Sequence, residues 1–229
     1  IEMNATVFPP LKDCPQPPLT DTQKRILELK KERDAVILAH NYVCPEIQDV
    51  ADYVGDSLGL SRQAKKAGAK VIAFAGVDFM AETAKILNPD KTVVIPDRAA
   101  GCSLEELCEP LELAAFKKKH PGALVISYIN CGAGVKELSD IICTSGNALD
   151  IVRQIPADRE IIFCPDQNLG SWIIEQTGRD MILWDGYCRA HVQYNAEELL
   201  EAKKAFGGAP LVCHPECPKA VRDVSDCVC

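Results

Sequence analysis

The sequence predicts an α/β protein: a pseudo-threefold arrangement of three-layer α/β/α domains with four-stranded parallel sheets, the third domain cut short. Three observations predict it. The run AHNYVCPEIQDVADYVGDS from Ala39 aligns without gaps on SYINCGAGVKELSDIICTS from Ser127, 88 residues on, and CHPECPKAVRDVSDCVC from Cys213 follows 86 residues later. The first two copies each carry short apolar, partly β-branched runs of the kind that form buried parallel strands. Helical patterns with Gly or Pro stops separate those runs, as crossover connections require. A repeated α/β unit of this length usually packs its copies about one axis.

Taken in order, a proline-rich lead gives way at Thr20 and Gln23 to a capping-box pattern, predicting a helix through about Asp34. The lead reads as an arm packed on the first repeat, so residues 1–35 form an N-terminal arm and helix. The first repeat, 36–122, has VILAH, DYVG, KVIAFAG and TVVIP as strands, with EIQDVA, SLGLSRQAKKAG and DFMAETAKILN as helices. The second, 123–209, has ALVISY, DIIC, EIIFC and MILW as strands, with ALDIVRQI and NLGSWIIEQTG as helices. LELAAFKKKH and AEELLEAKKAFGG are connector helices, and Lys117 to Lys119 read as a solvated face. Residues 210–229 begin a third, incomplete repeat.

Composition bounds the function. A chain that is 47% hydrophobic and 25% charged is ordinary for a globular protein. A formal net charge of -8 offers no basic face for nucleic acid, and no apolar run is long enough to span a membrane. The start, which is not a Met, shows neither a charged n-region nor an apolar h-region, and reads as trimmed. Twelve cysteines without an export signal predict a reducing, cytoplasmic setting and metal or redox chemistry. No Cys-x-x-Cys occurs, so cysteine ligands must converge from distant segments.

Ligands in open parallel sheets bind beyond the carboxyl ends of the strands. His40, Tyr128 and His214 share one repeat position there and Tyr42, Asn130 and Glu216 another; Asp52, Asp140 and Asp226 also coincide under the repeat, with no role assigned. Ser57 and Ser145 also coincide, each before a helical pattern, where a hydroxyl serves as an N-cap or holds an anion. Cys102 follows the fourth strand of repeat one by the same logic as Cys188 in repeat two, 62 residues after His40 and 60 after Tyr128. By that spacing a third cysteine falls about 60 residues after His214, near position ~274, beyond Cys229. Three such thiolates would suit a 4Fe-4S cluster with one open iron. Eight others, Cys44, Cys108, Cys131, Cys143, Cys164, Cys213, Cys217 and Cys227, read as small buried residues. The string GDSL at 55–58 matches an esterase nucleophile block, but none of the four histidines follows an Asp at the spacing such a triad needs.

On AHNYVCPEIQDVADYVGDSL, AGVDFMAETAKILNPDKTVVIPD, GCSLEELC, ICTSGNA, PDQNLG and CHPECP, the chain resembles the quinolinate synthase family of the A type, from about residue 36 onward. The resemblance implies three α/β/α domains around a 4Fe-4S cluster held by one cysteine each, with Cys102 and Cys188 as two of the ligands. It implies condensation of iminoaspartate with dihydroxyacetone phosphate to quinolinate, phosphate and water in NAD biosynthesis, with L-aspartate oxidase or aspartate dehydrogenase supplying iminoaspartate. The substrate-binding set it implies is His40, Ser57, Tyr128, Ile129, Asn130, Ser145, His214, Pro215 and Glu216, with Tyr42, His214 and Glu216 as candidates for proton transfer. A second hypothesis is a cluster-free, anion-binding fragment without catalysis.

Overall fold

A computed structural model describes residues 18–229; most of the expected N-terminal arm lies outside them. Helix α1 (Asp21–Glu32) opens with the expected capping box, the Thr20 hydroxyl accepting from the Gln23 amide while the Gln23 side chain accepts from the Thr20 amide. The first sheet contains β1 (Ala35–His40), β2 (Tyr53–Gly55), β3 (Val71–Ala75) and β4 (Thr92–Val94), in the order β2-β1-β3-β4 and parallel throughout. Between these strands run α2 (Pro45–Gln48), α3 (Ser57–Lys66) and α4 (Asp78–Leu87). A 3-10 turn (Glu105–Leu107) and the connector α5 (Pro110–Lys119) lead onward.

The second sheet repeats the plan. Strands β5 (Leu124–Tyr128), β6 (Ile141–Cys143), β7 (Ile161–Cys164) and β8 (Ile182–Leu183) lie in the order β6-β5-β7-β8, again all parallel. Helices α6 (Ala133–Leu138), α7 (Ala148–Gln154) and α8 (Gln167–Thr177) cross over, followed by a 3-10 turn (His191–Gln193) and the connector α9 (Ala196–Ala205). Gly178 ends α8 in the left-handed region, at φ 66°, which a glycine adopts without penalty. A third, two-stranded parallel sheet joins β9 (Val212–Cys213) to β10 (Cys227–Val228), with α10 (Lys219–Val224) between them.

The hydrophobic pattern explains why the strands sit where they do. Every residue of β7 is buried, because Phe163 and Ile161 join Ile126, Leu169, Trp172 and Ile173 on one face while Ile162 and Cys164 meet Val125, Leu113 and Cys131 on the other. In the first repeat Leu38, Ile72 and Phe74 form a core with Phe79, Met80 and Ala84 of α4. Each such large apolar side chain contributes about 1.5–3 kcal/mol through burial. Among the described residues no helix is long and apolar enough to cross a membrane.

Alternation does not reveal α6 and α10, which are six residues each, and the sequence reading omits both. Their position becomes clear from the aspartates that coincide under the repeat. Asp52, Asp140 and Asp226 each accept the amide of the strand lying before them, Ile37, Val125 and Leu211, at 2.8 Å in all three cases. Each returns its own amide to the same residue's carbonyl, at 2.9, 2.9 and 2.8 Å. A lysine of the preceding helix meets each carboxylate: Lys30, Lys117 and Lys203, at 2.8, 3.7 and 2.5 Å. Lys117 is therefore not simply part of a solvated face; it also donates to the Leu138 carbonyl. These aspartates fix strand register rather than chemistry.

A prediction follows from the burial of the paired amide. Val125 is fully buried whereas Leu211 is half-buried, so Asp140→Ala strands an amide that water cannot reach. Its expected cost is about 1–3 kcal/mol, and that of Asp226→Ala clearly less. Urea unfolding of the two variants checks the difference; equal losses would contradict it.

Candidate active site

The strand-end loops are built alike. After β1 the Tyr42 amide donates to His40 Nδ1 at 3.3 Å, and after β9 the Glu216 amide donates to His214 Nδ1 at 3.3 Å. Val43 and Cys217 close the same turns, donating to the His40 and His214 carbonyls at 3.1 and 3.0 Å. Because Nδ1 accepts, each neutral imidazole carries its proton on Nε2. In the second repeat Tyr128 takes the histidine's place, and the Ile129 amide donates to the Cys143 carbonyl at 2.8 Å.

Around Glu216 these loops converge with the segment after β8. Glu216 is 2% exposed, with His191 Nδ1 at 2.8 Å from its Oε2, and the His191 and His214 rings stack with centroids 4.9 Å apart. The Tyr128 hydroxyl, from a residue 7% exposed, faces both Glu216 and Ser145. Beside them Asp166 caps α8, accepting from the Leu169 amide at 2.7 Å through one oxygen and from the Cys188 amide at 2.9 Å through the other. Gly186 makes this close approach possible, since a Cβ there would stand 2.3 Å from the Pro165 carbonyl oxygen.

The electrostatics follow from burial and pairing. Burial acts to raise the Glu216 carboxyl, but His191, His214 and Tyr128 together outweigh it and hold the group below the usual carboxylate range. Burial, and then the Glu216 charge, push Tyr128 well above a free phenol. Contact with Cys188 and then with Glu216 raises His191 to about 10, whereas burial lowers His214. Asp166 is pushed up to about 7 by burial and by Glu216. The pocket thus presents a carboxylate, a phenol, one cationic and one neutral imidazole, and a carboxyl near its titration point.

One donor set here can hold a metal. The ligand atoms of Cys188, His191 and Glu216 lie within 4.8 Å of one another, and His191 Nδ1 and Glu216 Oε1 are buried without an aligned hydrogen-bond partner. Cys102 is half-buried between the first two cores and close enough to Cys188 for a thiolate there to disfavour ionisation of Cys102. Burial raises the Cys102 thiol, while the Glu105 and Leu104 amides, aimed at its sulfur, act in the opposite sense. Two thiols with inward donors, beside orphaned buried polar atoms, fit a group bound by cysteine sulfur.

The other sequence candidates fall into two sets. Ile129, Pro215 and half-buried Asn130 lie in the two loops just described. His40, Tyr42 and Ser57 form a separate set in the first repeat: Tyr42 is 90% exposed and packs edge-on against His40 at 4.5 Å, and burial lowers His40 while Asp56 opposes it. Neither serine is an N-cap as the sequence suggests. Asp56 caps α3, its shorter reach to the Gly59 amide (2.6 Å) leaving Ser57 as the first helical residue. Asn147 takes the cap position of α7 and holds the Thr144 amide at 2.7 Å, so Ser145 stays in the turn, facing Tyr128. Cys44 and Cys227 are exposed and Cys213 half-buried, against the expectation that they are buried; Cys108, Cys131, Cys143, Cys164 and Cys217 are buried.

Sequence reasoning missed His191 and Asp166. A signal for His191 exists: Cys102-x-x-Glu105 and Cys188-x-x-His191 occupy equivalent positions, each entering a 3-10 turn. Glu105 is likewise perturbed, pushed up to about 7 by burial and by Glu82. The Asp78 that falls on Asp166 at the offset of 88 lies one residue past the cap of α4, where Val77 stands.

Comparison with known proteins identifies the family. The family model of NadA, described as quinolinate synthetase A protein, matches residues 24–229. A quinolinate synthase of Synechocystis sp. is 56% identical over 219 residues, covering 96% of this chain and 68% of its own length. One of Thermosynechococcus vestitus is 58% identical over 209 residues, with 91% and 66% covered, and one of Synechococcus sp. is 57% identical over 214 residues, with 93% and 66% covered. The chain thus spans about two thirds of the length of these relatives. With a family match across nearly all of the described residues, including every strand-end loop that builds the pocket, the chain belongs to the quinolinate synthase A family.

Proposed function

We propose that the protein condenses iminoaspartate with dihydroxyacetone phosphate to give quinolinate, phosphate and water, in a cytoplasmic setting. L-aspartate oxidase or aspartate dehydrogenase would supply the iminoaspartate, and the three-domain division at about 35, 122 and 209 goes with this reading. The observation that carries it is the convergence of Tyr128, His191 and His214 on Glu216, with Cys188 beside His191 and Glu216. Cys102 and Cys188 would hold a 4Fe-4S cluster together with a third cysteine from the same repeat position. When bound, its open iron supplies a Lewis acid for a substrate oxygen.

The chain's own groups supply the rest. Glu216, kept ionised by its imidazole and phenol neighbours, takes a proton from substrate carbon or nitrogen. Tyr128, kept protonated, donates a hydrogen bond or returns a proton to an oxygen that leaves as water. His191, kept cationic, attracts a carboxylate, and neutral His214 offers its Nε2 proton. Ser145 and Asn130 provide uncharged donors, and His40, Tyr42 and Ser57 complete the phosphate and carboxylate contacts from the first repeat.

The test is anaerobic purification of the complete gene product, reconstitution with iron and sulfide, and chromatographic assay of quinolinate from the two substrates. About four irons per chain with quinolinate formation is the expected result. Anion binding with neither iron nor product would support the cluster-free binding fragment instead.

A further inference from the structure

We propose that Arg222 is a positioning residue for Glu216, acting through the backbone on both sides of it; the role in turnover rests on the function proposed above. Arg222 is 4% exposed, on α10. Its Nη1 donates to the Cys217 carbonyl at 2.8 Å and the Pro215 carbonyl at 3.4 Å, the carbonyls of the two residues on either side of Glu216. The same guanidinium is anchored on α8 of the preceding repeat: Nη1 reaches the Asn168 carbonyl at 3.1 Å, and Nη2 reaches Ser171 Oγ at 2.9 Å and Glu175 Oε1 at 3.0 Å. A planar fork with fixed donors can hold two elements in one geometry, which a flexible ammonium cannot do as well.

The same device recurs at this repeat position. Lys136 lies 86 residues before Arg222, and Gln48 a further 88 before that. Gln48 Nε2 donates to the Val43 and Asn41 carbonyls at 2.8 and 3.1 Å, the groups flanking Tyr42. Lys136 Nζ donates to the Cys131 carbonyl, just after Asn130. Lys136 also crosses to the preceding repeat, lying over the Phe79 ring at 5.3 Å and near Glu82, whose Oε2 takes the Ala133 amide at 2.7 Å. In each copy, then, the side chain holds the loop at the repeat position occupied by Tyr42, Asn130 or Glu216. Arg222 has the fullest set of bonds and serves the most buried of the three.

If Glu216 transfers a proton, displacing it harms the transition state more than substrate binding, and a misplacement of about 1 Å costs on the order of 100-fold. In the reconstituted complete gene product, Arg222→Met is expected to lower kcat about 100-fold with KM within about threefold, and Arg222→Lys, which keeps one donor, to recover at least about a tenth of the activity. Asp223→Ala, which removes the exposed ion pair with Lys219 on the same helix, is expected to leave both constants unchanged. A kcat for Arg222→Met within about twofold of wild type, at a temperature where it is folded, overturns the proposal. Should that variant not fold, Ser171→Ala removes one anchor and is expected to lower kcat about threefold or more, an unchanged kcat being the overturning result. Deuterium uptake by the 214–217 amides of the cluster-free protein separates this idea from the reaction assignment. Uptake there rises in Arg222→Lys if the clamp holds the loop, whether or not quinolinate is made, and unchanged uptake overturns it.

Discussion

Cys188→Ser is expected to abolish iron binding and quinolinate formation together while leaving the fold intact. The Cys188 backbone is fixed independently of its side chain, because Asp166 Oδ2 takes its amide at 2.9 Å and Gly186 packs directly on the Pro165 carbonyl. Serine fits that backbone but replaces a soft thiolate by a hydroxyl that stays protonated at neutral pH and does not compete for cluster iron. Iron is expected to fall from about four per chain to well under one, with the visible absorbance of the reconstituted protein lost. Circular dichroism should change little, since the sulfur is only half-buried at the edge of the second core. Cys44→Ser, at an exposed cysteine on the first loop, provides the contrast and is expected to retain iron. A Cys188→Ser protein holding a full complement of iron would remove Cys188 from the ligand set.

What the sequence made legible and what it hid have a common cause. Internal repetition is information about position, so it located the strands and the loops after them, and it pointed to Cys102 and Cys188, which lie close enough to interact. It could not say which copies of a position meet. Tyr42 and Glu216 are equivalent in sequence, yet one is 90% exposed and the other 2%, because the second loop and the His191 turn cover Glu216. Repetition aligned the aspartates too without giving them a role, which the structure supplies: Asp52, Asp140 and Asp226 pair with strand amides. Asp166 stayed hidden for a different reason. It caps α8 where Val77 caps α4, and the Asp78 that falls on it at the offset of 88 lies one residue past that cap, so the sequence match does not carry the role. His191 differs again: its position is repeated, but its partner is Glu105, a different chemical type.

Glu216→Gln tests the chemistry most directly. Glutamine keeps the shape and an oxygen facing Tyr128, but it cannot accept a proton at neutral pH, so the reconstituted variant should lose kcat by about 10²–10⁴-fold. KM should change far less, because the loss falls on the transition state. Unfolding does not explain such a loss: the carboxylate's burial cost and its pairing with His191 oppose each other, so an isosteric neutral group leaves stability within about 1–2 kcal/mol. Thermal melting of the cluster-free variant checks that half, and steady-state kinetics the other. Tyr128→Phe separates the two partners of the pair. It removes the proton that the phenol returns, yet leaves Glu216 with His191 at 2.8 Å, so its kcat should fall less than that of Glu216→Gln. If Tyr128→Phe proved the more damaging, the phenol rather than the carboxylate would carry the proton transfer, and the buried anion would serve to hold His191 cationic beside the substrate.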